Sequence, residues 1–111
     1  MLAVGLVLTG LTTGCGSQGA RNTIKLGGNL EMTGESASYW ISSRNGIELA
    51  LKEQNEKGGV LDKKVELVVA DNKSEATEAT NAMQKLIPQD RVIGVIGPNL
   101  SSVVIASTAV S

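Results

Sequence analysis

Three strand-like apolar runs, "TIKLGGNL" (23–30), "KVELVVA" (64–70) and "VIGVIG" (92–97), are separated by two segments of helical periodicity. This alternation constrains the fold more than any other feature of the chain. Strand and helix taking turns, with connections long enough for right-handed crossovers, produce a parallel sheet with helices on both faces. The first helical segment runs from about Tyr39 to Lys57, with Ile47, Ala50 and Leu51 at i, i+3 and i+4 and with Glu48, Lys52, Glu53 and Glu56 toward water. The preceding loop, "EMTGESAS", is rich in turn formers, and Gly58-Gly59 supplies a left-handed stop at the far end. The second strand ends at Asp71-Asn72. Glu75 and Glu78 then favour a helix start, because acids near an N-terminus oppose the helix dipole. Ala79, Met83 and Leu86 or Ile87 form the buried face of that helix, and Pro88 ends it. "SSVVIASTAV" begins a third helix that stops with the chain. Such sheets usually have more strands, so the chain reads as the N-terminal part of a larger protein.

Composition removes several classes of function. The chain has 111 residues, 41% apolar and 19% charged, which fits one small globular domain. A net charge of -1, with neither a basic patch nor interleaved aromatics, excludes nucleic acid as a partner. With no His there is no histidine-based triad or metal site, and a single Cys excludes intramolecular disulfides and cysteine-cluster zinc. Asp71, Glu75 and Glu78 read as a solvated loop and helix start, because no other hard ligands lie nearby. "GGNLEMTGES" is a poor phosphate loop: Glu35 stands where a phosphate-binding lysine would follow the glycine, and an acid there repels phosphate. No dinucleotide fingerprint is present. Neither metal nor cofactor is implied.

The first fifteen residues, "MLAVGLVLTGLTTGC", carry no charge and have the apolar core and small residues of an export signal. A spanning helix needs roughly 20 apolar residues, which this segment does not supply. Residues 16–22 form a polar, flexible tether, and 23–111 hold the alternating strands and helices. Thr12-Thr13-Gly14-Cys15 resembles a bacterial lipobox, in which the cysteine is diacylated and becomes the mature N-terminus. It departs from that pattern in two ways. Leu11 lies four residues before Cys15 rather than three, and the basic residues of a signal start are missing, as in a chain begun late or with a misassigned start. The alternative is an ordinary signal peptide with an incidental Cys.

"GPNLSS" (97–102) lies where a parallel sheet places its ligands, at the carboxyl end of a strand leading into a helix. Gly97 and Pro98 bend the chain, and Ser101 and Ser102 fall near the helix N-terminus, where unpaired amides favour an anion. Each hydroxyl has two possible roles there: to cap its own helix or to hold a ligand carboxylate.

The first strand followed by "TG", then "NGIELALKEQNEKGGVLDKK", "LVVADNKSEATEATNAMQKLI" and "VIGVIGPNLSS" together span nearly the whole chain after residue 22. With these motifs residues 23–111 resemble part of the first, N-terminal lobe of the ligand-binding domain of the type I periplasmic-type binding proteins for leucine, isoleucine and valine, the solute receptors of branched-chain amino acid ABC transporters. It implies an exported, two-lobed receptor, found in the periplasm or at the cell surface, that closes on a zwitterion and docks on a membrane permease driven by an ATPase. This is binding without chemistry. Lipid on Cys15 would hold the receptor at the membrane. The resemblance also implies that Ser101 hydrogen-bonds the ligand's α-carboxylate beside Ser102, that Leu100 lines the pocket and that Tyr39 forms the cleft wall. Family members often have a small residue at the position of Trp40. Some members also join the loops after the second and third strands by a disulfide, at places occupied here by Ser74 and Leu100. Relatives take amides, urea or aromatic acids on the same scaffold, and signalling proteins use it as a ligand-sensing domain, so these alternatives stay open.

Overall fold

The computed structural model describes residues 23–110. In chain order the elements are β1 (Thr23–Leu30), α1 (Ala37–Glu56), β2 (Lys64–Asp71), α2 (Ala76–Leu86), β3 (Val95–Ile96) and α3 (Ser101–Ser107), followed by a 3-10 turn at Thr108–Val110. The strands form one parallel sheet in the order β2-β1-β3. Thr23 to Leu30 pair in step with Lys64 to Asp71, and Gly27 and Gly28 pair with Val95 and Ile96. The crossovers from β1 to β2 and from β2 back past β1 to β3 run in opposite directions across the sheet. Right-handed connections therefore place α1 on one face and α2 on the other. The expected α/β architecture is borne out.

The two faces differ in packing. Leu30, Val65, Ala79, Ala82, Met83, Leu86 and Val103 are the buried apolar residues. Four of these come from α2, which lies between the sheet and α3. The predicted α2 face is confirmed at Ala79, Met83 and Leu86, while Ile87 is 38% exposed and takes no part in it. By contrast, α1 has no buried residue. Ile47 and Leu51 are half-buried and Ala50 is exposed. Arg44–Glu48 and Lys52–Glu56 ion pairs occupy the solvent side of α1, as its charge pattern predicts.

A polar clamp docks α1 on the sheet. The Asn55 side-chain amide donates to Val65 O at 2.8 Å, and its oxygen accepts Val65 N–H at 2.8 Å. Asn55 thus pairs with the edge of β2 as a short strand would. Gly58 and Gly59, at φ +106 and +79, reverse the chain behind it.

Two boundaries differ from expectation. The helix α1 begins at Ala37, two residues early, because the turn after Gly34 closes with the Ala37 amide on Gly34 O. The strand β3 covers Val95–Ile96 rather than 92–97. Arg91, at φ +57, turns the chain toward β1 late, and Gly97, at φ +86, turns it away again.

Candidate functional site

All three strands end at the same edge of the sheet, and the loops that follow are tied to one another by side chains. Asp71, the last residue of β2, binds the loop after β1. Its Oδ1 accepts the amides of Met32 (3.0 Å), Thr33 (3.2 Å) and Lys73 (2.9 Å), and its Oδ2 accepts the Thr33 hydroxyl at 2.6 Å. Ser74 adds a second tie, donating to Thr33 O at 3.1 Å and accepting Ser36 N–H at 3.3 Å. Gly34 crosses this junction at φ +89, where a Cβ would lie 2.2 Å from Lys73 O. Beneath it, buried Asn72 donates to Asn29 Oδ1 (3.1 Å) and accepts Ser74 N–H (2.9 Å), while buried Asn29 donates to Ala79 O (3.0 Å).

The loop after β3 is fixed by Glu31, the first residue beyond β1, which is 0% exposed. Its Oε1 accepts the amides of Asn99 (2.9 Å) and Leu100 (3.2 Å), and its Oε2 accepts the Asn99 side-chain amide at 2.9 Å. Burial opposes ionisation of Glu31, yet these donors outweigh it and hold the carboxyl below the usual range. Asp71 is depressed in the same way: desolvation is outweighed by the Thr33 hydroxyl and the amides of Lys73, Thr33 and Met32. The Gly97-Pro98 bond is cis, and Gly97 passes so close to β1 that a Cβ would lie 2.3 Å from Asn29 O.

Leu100, half-buried and extended at φ -81 and ψ 128, is the N-cap of α3, and no side chain caps the helix. Its carbonyl accepts Val103 N–H (3.0 Å) and Val104 N–H (2.8 Å). Of the two roles open to the serines, capping is therefore absent. Ser101 and Ser102 are exposed at the first two helical positions, and among the described residues no acceptor pairs with their amides. Tyr39 lies in the first turn of α1, above the same edge, and is 75% exposed. Trp40 beside it is half-buried, with its Nε1–H buried and unpaired.

The structure thus brings Tyr39, Leu100, Ser101 and Ser102 to the carboxyl edge of the sheet, with no hydrogen bond linking Tyr39 to the other three among the described residues. Ser74, at one of the two places where some relatives carry the disulfide, ties the loops after β1 and β2 by its hydroxyl instead. Cys15 lies outside the described residues. Glu31, Asn29 and Asn72 were not singled out in the sequence. The available signal was a polar residue in or directly behind an apolar strand, where asparagine is disfavoured and a carboxylate needs donors. Among the described residues, no group of three acidic or sulfur side chains is placed to hold a metal ion.

A crossover-connected parallel sheet with a cross-tied carboxyl edge and exposed helix-start serines has the form of a ligand-binding lobe. The profile of the periplasmic binding protein family matches residues 23–110, and the chain belongs to that family. It is 36% identical over 86 residues to the Leu/Ile/Val-binding protein BraC3 of Rhizobium johnstonii, covering 78% of this chain and 23% of that protein. Among solved structures it resembles the branched-chain amino acid transporter substrate binding protein LivJ of Streptococcus pneumoniae in complex with isoleucine. That match has a TM-score of 0.76 at 40% identity and covers 78% of this chain and 25% of the other. The leucine binding protein LivK of Thermotoga maritima matches with a TM-score of 0.69 at 35% identity, over 78% of this chain and 24% of that one. The chain therefore spans about a quarter of the length of these relatives. No helix among the described residues is long and apolar enough to cross a membrane.

Proposed function

We propose that this chain forms the opening part of the first lobe of an exported solute receptor serving an ABC importer, and that the receptor takes branched-chain or related amino acids. The observation that carries this reading is the start of α3, where Ser101 and Ser102 stand exposed above a tied edge, their amides and hydroxyls without a partner among the described residues. A carboxylate set there accepts N–H and O–H donors together, and hydrogen bonds to a charged group are the strong ones. Leu100 and the Tyr39 ring supply apolar surface for the ligand's aliphatic part. The names of the relatives support the ligand class, since one is a Leu/Ile/Val-binding protein and a solved one holds isoleucine.

In this mechanism the protein performs no chemistry. A second lobe closes over the zwitterion, and the closed form, favoured because the ligand binds it better, is what the permease engages. Residues 16–22 act as the tether and lipidated Cys15 as the anchor. Calorimetry of the complete receptor against a panel of ligands tests the assignment. Leucine, isoleucine and valine should bind at micromolar or tighter levels, and acetamide, urea and benzoate should not. Binding confined to the second group would overturn it.

A further inference from the structure

Glu31 needs a reason to be where it is. It is fully buried, and none of the ion pairs among the described residues reaches it. Removing a carboxylate from water without a counter-ion is costly, and an apolar side chain of similar volume would pack at no such cost. The register explains what the charge holds. Gly28 pairs with Ile96 at the last step of β3, and beyond that step the turn from Gly97 brings Asn99 onto the Glu31 carboxylate. There its two oxygens take three N–H groups, the Asn99 amide, the Asn99 side chain and the Leu100 amide. Leu100 O in turn takes the Val103 and Val104 amides. Of the six successive amides from Asn99 to Val104, those of Ser101 and Ser102 alone have no acceptor among the described residues.

We propose that Glu31 is the positioning residue of the amino acid site: it anchors the turn from Gly97 to Leu100 so that Ser101 and Ser102, and no earlier residues, offer their donors to the ligand. The proposal rests on the reading of Ser101 as a carboxylate donor. Glu31 acts through the turn and does not touch the ligand, because it is fully buried beneath that turn. Glu31→Gln keeps an oxygen for both backbone amides, and the Asn99 side chain can rotate to present its carbonyl to the new amide. Glu31→Met removes every acceptor and frees the turn.

The test is leucine calorimetry on the complete receptor, with thermal unfolding measured alongside. Glu31→Met should weaken binding about tenfold or more, Asn99→Ala about threefold, and Glu31→Gln by less than about threefold. In the Glu31→Met background, adding Ser101→Ala should cost little more, since the hydroxyl is already misplaced. A residue that merely stapled the fold would lower the unfolding temperature while the two losses multiplied. That multiplication, or wild-type affinity in folded Glu31→Met, overturns the proposal. Where Glu31→Met does not fold, Asn99→Ala decides by the same criterion. If Ser101→Ala alone leaves affinity unchanged while Glu31→Met and Asn99→Ala weaken it, the hydroxyl's role is wrong and Glu31 still places the bare amides.

Discussion

Ser101 separates two roles that a helix-start serine can play. A capping hydroxyl contributes about 1 kcal/mol to stability and nothing to binding. Here Leu100 is the N-cap and no hydroxyl caps α3, so Ser101→Ala should leave stability nearly unchanged. In the complete receptor it should weaken leucine binding by roughly 1.5 to 3 kcal/mol, the value of a hydrogen bond to a charged group, or about 10- to 150-fold. A drop in unfolding temperature with unchanged affinity would contradict this. Glu31 and Asp71 add a pH dependence of known sign. Both carboxyls titrate below the usual range when folded, so the unfolded chain takes up their protons first as pH falls. Their stabilisation is fully present above the ordinary carboxylate values and is lost as pH falls through those values to the lower ones of the folded state. Amide shifts of Asn99 and Leu100 followed by NMR should titrate in that lower range. A midpoint above the ordinary carboxylate value would refute the assigned bonds. The serines were legible in the sequence because turn formers mark strand ends. Glu31 was not, because a lone acid after a strand looks the same whether water or buried amides surround it.

At the scale of elements, the contrast between α2 and α1 shows what periodicity encodes. For α2 the apolar stripe named three of the four buried residues, Ala79, Met83 and Leu86, and missed the small Ala82, because sheet and α3 both lie against the helix. For α1 the stripe of Ile47, Ala50 and Leu51 named an apolar face and could not say what would cover it, and Ala50 is exposed. What fixes α1 to the sheet is Asn55, a residue whose type carries no strand or helix signal. Asn55→Ala removes two hydrogen bonds to Val65 and leaves that edge bare. It should cost about 1 to 3 kcal/mol in chemical denaturation. Hydrogen exchange should show α1 opening ahead of α2, which is held by Leu86 at 0% exposure. Equal protection of the two helices would contradict this contrast in packing. The short β3 has a similar lesson. An apolar run predicts a strand, but the backbone turns at Arg91 and Gly97 set its length.

For the whole molecule, the alternation of strand and helix predicts a parallel sheet, and the strand order β2-β1-β3 with right-handed crossovers then sets α1 and α2 on opposite faces. The proposed ligand site is only half legible, since a site closed between two lobes would be a property of both. The sequence also suggests a membrane attachment. If Cys15 carries lipid, metabolic labelling with a fatty-acid probe should mark the wild type and not Cys15→Ser, and an unlabelled wild type would refute the anchor. The central claim is that this edge is one side of a two-sided amino acid site. A carboxylate held from one side alone remains largely solvated, so its hydrogen bonds return little net free energy. Titrating leucine by calorimetry into the 111-residue chain and into the complete receptor tests this most directly. The account predicts micromolar or tighter binding by the receptor and no measurable heat with the chain alone. Micromolar binding by the chain alone would contradict it.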